Sequence, residues 1–366
     1  MKVLEVIRQG QIGGGESHLL DLIYFLDKQR FEPVCLSFTD GEMIRRLQGW
    51  GVKCHVIESG KAFDPKVQRE VCRLVDSEGI SLIHAHGSRA ASNMLFAATR
   101  THKPLVYTVH GWSFHDDQPA LVRRLRAWSE KLICHRASRV ICVSQSNADT
   151  GRQVFGLKQA DVIENGINLE VFSPSQARSL RQQFGFSDDD FVAGFVARAT
   201  KQKSPLLFLQ AVEQAHARCP QVKGLFVGEG DMDSDVDAYI TDHHLGDYLF
   251  RSKFRTDVPD VLKTIDVYCL PSLWEGLSIA LLEAMAMGKA IVATPTDGTR
   301  ELIADRENGL VVPFNDAPRL ADAILELCSD RQLFTHCSTA ATALVAQRFD
   351  ARRVADSVMR IYNNFI

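Results

Sequence analysis

The sequence predicts an α/β protein of two doubly wound, Rossmann-like domains, and three observations carry that reading. Its 366 residues exceed what one core ordinarily serves, at roughly 150 residues per domain. Short β-rich apolar runs alternate with longer helical patterns from end to end, the order of a parallel sheet wound with helices. Charge also changes character midway. Residues 1–172 hold 22 Lys and Arg against 19 Asp and Glu, whereas the remainder holds 20 against 26.

Element by element, the first strand is expected at Val3–Ile7. Pro33–Phe38, Lys53–Ile57, Leu82–His86, Leu105–His110 and Val140–Val143 continue the series, separated by helices such as Ser17–Leu26 and Val67–Asp76. Asn165-Gly166 marks a turn and Ser173–Gln176 is a polar stretch, which divides the chain into domains at 1–172 and 173–350. A second strand series follows at Val192–Ala197, Gly224–Val227, Val267–Leu270, Ala290–Ala293 and Leu310–Val312. Its helices include Pro205–Arg218 and Arg319–Cys328, with Pro205 in a first turn, where its missing N–H costs nothing. In the last stretch, 351–366, Val354, Val358, Met359, Ile361 and Tyr362 recur at helical spacing, so a terminal helix should pack on something large. In such sheets ligands sit outside the carboxyl ends of the strands, so the crevice between the two carboxyl edges is the expected site.

Composition excludes several function classes. A formal net charge of −3 provides no field for nucleic acid, and no apolar run approaches the roughly 18–20 residues of a spanning helix. The chain opens directly on a strand, without a signal peptide's charged start, so a cytoplasmic protein is expected. The nine cysteines form no C-x-x-C pair, and Cys35, Cys142 and Cys269 lie inside apolar runs, as buried thiols do.

Three constellations carry chemistry. Gly13-Gly14-Gly15-Glu16 follows the first strand and opens a helix, where free N–H groups and the positive dipole end favour an anionic or bulky group. Arg198 ends the strand Val192–Ala197, with Lys203 five residues on. Two cations at a sheet's carboxyl edge suit a diphosphate, with Lys201 a competitor for the second role. The strongest constellation is Glu275-Gly276-Leu277-Ser278 followed by Leu281-Leu282-Glu283-Ala284-Met285, read as a loop and then a helix from about Gly276 to Gly288. A carboxylate among apolar neighbours, as at Glu283, is expensive unless something such as a ribose hydroxyl pairs with it.

On these residues the chain resembles a family 4 glycosyltransferase, a retaining enzyme of the GT-B fold, over essentially its whole length. Glu275 and Glu283 match the family's E-x7-E signature, Gly13–Glu16 its G-G-x-E loop, and Arg198 with Lys203 its R-x4-K pair. Val162–Ile167 matches the V-I-x-N-G-[IV] segment, and Phe226–Gly230 the G-x-G strand end. The resemblance implies that Glu283 binds the ribose of a nucleotide-sugar. Glu275 and the amides of Gly276, Leu277 and Ser278 would hold sugar and phosphate, with Gly14 and Gly15 approaching the donor closely. Arg198 and Lys203 would neutralise the leaving diphosphate in the role a metal plays elsewhere, so no metal or cofactor is called for. His110, in Thr108-Val109-His110-Gly111, matches the histidine that reaches the donor sugar. Phe254 and Arg255 fall at the base-contacting turn, where Lys253 stands in place of the usual glycine. Asp297-Gly298-Thr299-Arg300-Glu301 keeps one glycine of the usual G-G-x-x-E.

The expected function is retaining transfer of a sugar, UDP-linked by preference, to a saccharide or lipid-linked acceptor hydroxyl in envelope polysaccharide or glycolipid synthesis. A nucleotide-sugar epimerase of the same fold, or a non-catalytic binding protein, are the alternatives. His84 and His86 share a strand face but have no third metal ligand nearby in sequence, and Asp231, Asp233, Asp235 and Asp237 lack the glycine and terminal glutamate of a calcium loop. Between 121 and 139, Arg123, Arg124, Arg126, Lys131, Arg136 and Arg139 face only Glu130, while Leu121, Leu125, Trp128 and Leu132 recur every three or four residues. Such a helix either rests on the anionic inner face of the cell membrane or packs its stripe on its own sheet with the arginines solvated.

Overall fold

Parallel strands bury both faces and so need helices on each side. The computed structural model describes residues 1–115 and 118–366, and it divides into two units. The first, Met1–Gly166 with Ala351–Ile366, holds strands β1 (Lys2–Ile7), β2 (Glu32–Ser37), β3 (Lys53–Val56), β4 (Leu82–His86), β5 (Leu105–Val109), β6 (Arg139–Cys142) and β7 (Asp161–Val162). They form one parallel sheet in the order β3-β2-β1-β4-β5-β6-β7. The second unit, Ile167–Asp350, holds β8 (Phe191–Val196), β9 (Val222–Val227), β10 (Leu249–Ser252), β11 (Val267–Leu270), β12 (Ala290–Ala293) and β13 (Leu310–Val311), all parallel, ordered β10-β9-β8-β11-β12-β13. Strand order reverses between β1 and β4 in the first sheet and between β8 and β11 in the second. These are the positions where doubly wound sheets open a crevice at their carboxyl edges.

The main departures from the sequence reading are two boundaries and two strands. The units part at Gly166 and Ile167 rather than at 172 and 173, because the Ile167 amide donates to the Phe349 carbonyl at 2.9 Å and Ile167 bridges Asp350. The helix expected from Gly276 spans Ile279–Ala286, since Ser278 is extended at its N-cap and residues 275–278 stay a loop. Strands β7 and β10 were not anticipated. One is two residues long, and the other, Leu-Phe-Arg-Ser, has too few apolar residues to read as a buried strand.

One face of the first sheet is covered by the helices Gly14–Phe25 and Ala351–Tyr362. Val3, Leu82, Val106 and Ile141 of the sheet pack there with Leu22, Val354, Val358 and Ile361. The terminal helix is strongly amphipathic, and its apolar side is used in full. Tyr362, wholly buried, sits edge-on to Phe31 with ring centroids 5.5 Å apart. Its hydroxyl donates to Glu5 Oε1 at 2.7 Å and lies 2.5 Å from His84 Nδ1. Tyr362→Phe keeps the ring and deletes both contacts, leaving buried polar groups short of a partner. It should cost about 1–3 kcal/mol of stability, read as a lower denaturant midpoint at unchanged slope.

Candidate functional site

In the first unit the candidate residues gather at the carboxyl edge beside the β1–β4 reversal. In a parallel sheet, residues in register share a face at every second position. Glu5 pairs with His84, Ile7 with His86, and His86 with Thr108, so Glu5, His84, His86 and Thr108 line the face under the terminal helix. His110 lies just past the end of β5. Glu5 is wholly buried and accepts from His86 Nε2 at 3.0 Å, with His84 Nδ1 at 3.3 Å from the same oxygen. His86 Nδ1 lies 3.3 Å from His110 Nε2, and His84 Nε2 lies 2.7 Å from Thr108 Oγ1.

The glycine loop belongs to the same edge. The helix Gly14–Phe25 starts directly after Gly13, and a Cβ on Gly15 would lie 3.6 Å from the His110 ring. A Cβ on Gly14 would meet nothing within 4 Å. His18, one turn on, packs edge-on against His110 with centroids 4.8 Å apart, and its Nε2 is buried without a hydrogen-bond partner.

In the second unit the loop after β11 meets the short 3-10 turn Lys201–Lys203 beside the β8–β11 reversal. The Leu273 amide donates to the Gln202 carbonyl, and Gln202 Nε2 donates to the Trp274 carbonyl, both at 2.8 Å. This lacing brings Lys203 Nζ onto Glu275 Oε1, which Ser272 Oγ also approaches at 2.7 Å. Both side chains of the ion pair are largely buried, and a buried charge pair needs such extra donors to offset its lost hydration. Arg198 is exposed just beyond the end of β8, so of the two cations only Lys203 is drawn into the pair. The Gly298 amide donates to the Glu275 carbonyl at 3.4 Å, and a Cβ on Gly298 would fall 1.8 Å from the Gly276 carbonyl oxygen. Gly298, the one glycine kept from the usual pair, is therefore the one the packing requires.

Glu283 is half-buried, one turn into the helix Ile279–Ala286, while Leu277 and Ser278 are buried before it. Burial, and after it the charges of Glu283 and Glu275, holds the Tyr268 phenol well above its usual range. Arg255 forms a two-pronged pair with Asp257, at 2.8 and 2.5 Å, and its guanidinium lies 5.3 Å from the Phe184 ring centre. Phe254 is half-buried beside it. The aspartates that alternate from 231 are occupied differently from a calcium loop. Arg251 pairs with Asp233 at 2.7 Å and Asp237 at 3.3 Å.

The sequence missed the set around Glu5. His84 and His86 have no third metal ligand nearby in sequence, and the carboxylate that joins them comes from another strand. The signal was present as parity, a carboxylate and two histidines at matching alternate positions of adjacent buried strands.

Comparison with known proteins agrees with this architecture. Residues 12–171 match the model described as Glycosyltransferase Family 4, and residues 176–344 match Glycosyl transferases group 1. A UDP-Gal:alpha-D-GlcNAc-diphosphoundecaprenol alpha-1,3-galactosyltransferase of Escherichia coli is 29% identical over 285 residues, covering 74% of this chain and 72% of its own. A phosphatidyl-myo-inositol mannosyltransferase of Mycolicibacterium smegmatis is 27% identical over 371 residues, covering 96% and 90%. Among solved structures, Anabaena HepE in complex with UDP-glucose superposes with a TM-score of 0.86 at 26% identity, covering all of both chains.

The histidine cluster makes the first unit sensitive to acid. Burial, then the neighbouring histidines, pushes His18 down to about 3; burial and His84 push His86 down to about 4, and His110 is held well below its usual range by burial and His18. Glu5 is held far below the usual carboxylate range, its burial outweighed by His84 and His86. A depressed imidazole binds its proton in the unfolded chain first, so stability is present above about pH 6.5 and falls as pH drops towards 4. Glu5 acts in the same direction below the ordinary carboxylate pKa. Denaturant midpoints should therefore fall from about pH 7 to about pH 5, each depressed imidazole contributing up to about 1.4 kcal/mol per pH unit. An unchanged midpoint over that window would refute the assignment.

Proposed function

Because the chain belongs to the family 4, group 1 glycosyltransferases, we propose that it transfers a sugar from a UDP-sugar to a lipid-linked acceptor hydroxyl, retaining anomeric configuration without a metal. The observation that carries this reading is the Lys203–Glu275–Ser272 cluster beside the strand reversal of the second sheet, with Arg198 exposed just past β8. A diphosphate there meets Arg198's planar fork and a lysine whose charge Glu275 already holds in place. Glu283 takes the ribose hydroxyls, and the loop Glu275–Ser278 takes sugar and phosphate through its amides. Leaving-group charge is then stabilised by the two cations, and the departing phosphate oxygen takes the acceptor's proton on the same face.

Donor and acceptor classes are supported by relatives. HepE was solved with UDP-glucose, and the names of the E. coli and mycobacterial enzymes specify a diphosphoundecaprenol-linked sugar and a phosphatidylinositol. These are transferases, which does not favour the epimerase or binding-only readings. Lys203→Ala and Arg198→Ala should each lower kcat by roughly 10²-fold, as lost charge stabilisers do. Nucleotide release from UDP-glucose and UDP-galactose, with and without a diphosphate-lipid-linked sugar acceptor, measures this, and product NMR reads the anomer. Inverted product, or full turnover in both variants, would refute the mechanism.

The proposed acceptor calls for contact with a lipid surface, and the helix Ala120–Arg136 offers one. Only Ala127, Glu130 and Ile133 of this helix are buried, whereas Leu121, Leu125 and Trp128 are 70%, 59% and 64% exposed. These three residues therefore do not pack on the sheet, whereas Leu132, the fourth of the stripe, is half-buried; the exposed three lie among basic residues that include Arg124 and Lys131. Each basic residue near an anionic surface contributes about 1 kcal/mol, and Trp favours the interface. Among the described residues no helix is long and apolar enough to cross a membrane, so contact by this face would be peripheral. Sedimentation with vesicles rich in anionic lipid at low salt should recover the protein, less so at high salt. Arg124→Glu with Trp128→Ser should release it. Indifference to anionic vesicles at low salt would remove the membrane from the proposal.

A further inference from the structure

The hydrogen positions in the buried set around Glu5 follow from its donors and acceptors. An ionised carboxylate only accepts, so every hydrogen bond to Glu5 comes from a donor. His86 Nε2, 3.0 Å from Glu5 Oε2, therefore carries a hydrogen. Burial keeps the His86 ring neutral, and a neutral imidazole has a single N–H, so its Nδ1 is bare. That bare nitrogen faces His110 Nε2 at 3.3 Å. A bond at this distance needs a hydrogen between the two atoms, and only His110 can supply it. His110 is likewise held neutral by burial and its histidine neighbours, which leaves its Nδ1 as the ring's acceptor.

We propose that Glu5 and His86 are positioning residues which fix His110 in the Nε2–H tautomer, so that its Nδ1 accepts a hydrogen bond from a substrate hydroxyl. The hydroxyl part rests on the transferase reading above, whereas the tautomer does not. The rest of the set protects the carboxylate end of the chain. Tyr362 donates to the other Glu5 oxygen, and Thr108 fixes the far side of His84. Of Glu5, His84, His86 and His110, only His110 is not fully buried, and it is the one beside the glycine loop. A carboxylate that orders an imidazole tautomer through a hydrogen bond is an established catalytic device, and losing the correct tautomer there is costly. Here the device has one more imidazole between carboxylate and acting ring.

Long-range proton–nitrogen NMR on protein labelled with ¹⁵N-histidine distinguishes bare from protonated ring nitrogens, with His110→Gln assigning the signal. Wild-type protein should show His110 protonated at Nε2 and bare at Nδ1. His86→Leu removes the acceptor, so the His110 signals should shift to a mixture of tautomers and kcat/KM should fall roughly tenfold or more, on the scale of one lost hydrogen bond. His86→Asn, whose carbonyl replaces the Nδ1 acceptor, should restore the tautomer and recover activity to within about threefold. A merely structural role for His86 would not predict that spectroscopic change or its rescue.

Three results would overturn the proposal. One is wild-type His110 protonated at Nδ1. Another is His86→Leu with wild-type spectrum and turnover. The third is purified protein that retains zinc and loses it in His18→Ala, because ring nitrogens of His18, His86 and His110 lie within 4.8 Å of one another and a metal between them would displace the shared hydrogen. If no acceptor supports transfer at all, the proposed function fails, and the wild-type spectrum still decides the tautomer.

Discussion

A carboxylate without access to water lies in the central region of the first sheet, and much of that unit follows from satisfying it. Burying an unpaired charge costs far more than one hydrogen bond returns, so Glu5 is tenable only with donors on both oxygens. Those donors come from separate parts of the chain. His86 and His84 sit on the neighbouring strand, and Tyr362 arrives from the last helix, over 350 residues away in sequence. The terminal helix is therefore more than a hydrophobic cover for Val3, Leu82 and Val106, because its last turn carries a polar atom the sheet cannot do without. Position along the chain and position in the network are unrelated, which is usual when a parallel sheet brings distant strands into register.

The two sheets place their chemistry by the same rule. In each, the polar residues cluster where strand order reverses, beside β1 and β4 in one and beside β8 and β11 in the other. At that point neighbouring loops diverge to opposite faces and leave room for a ligand. What differs is the chemistry installed there. The first edge holds neutral imidazoles and glycine, suited to hydroxyls, whereas the second holds Lys203, Glu275 and nearby Arg198, suited to phosphate and sugar together.

Much of this was legible in sequence. Alternating strand and helix patterns located most strands to within a residue or two, since buried parallel strands read as apolar runs and the helices between them as amphipathic ones. The E-x7-E, R-x4-K and glycine-loop residues could be named because each lies in a local strand–loop–helix context. The Lys203–Glu275 pairing was not legible. It depends on the loop after β11 being laced to the turn after β8, contacts of 70 or more residues in separation. β10 was missed because its four residues hold only two apolar side chains, and pairing with β9 rather than composition makes it a strand. The Glu5 network was missed for the same reason at greater range, although its parity was written into three strands.

The helix Ala120–Arg136 shows how one polar residue sets the exposure of a whole surface. Read by composition, Glu130 is the lone acid offsetting a run of arginines. In the fold it is wholly buried and accepts from Ser88 Oγ, from the Tyr107 hydroxyl at 2.9 Å and from the Ser113 amide at 3.1 Å. Those bonds fix the helix's rotation about its axis. At about 100° per residue, Ala127 and Ile133 fall within about 60° of Glu130 and turn inward, while Leu121 falls about 180° away and Leu125 and Trp128 well round the cylinder. The apolar stripe is thus held outward by a carboxylate's hydrogen bonds, against the ordinary tendency of apolar residues to turn inward. Glu130's charge is also removed from the surface, so nothing on that helix offsets the positive field of its basic residues. An exposed apolar stripe within a positive field is stable only if the inward polar anchor outweighs its exposure, and here the anchor is a fully bonded carboxylate.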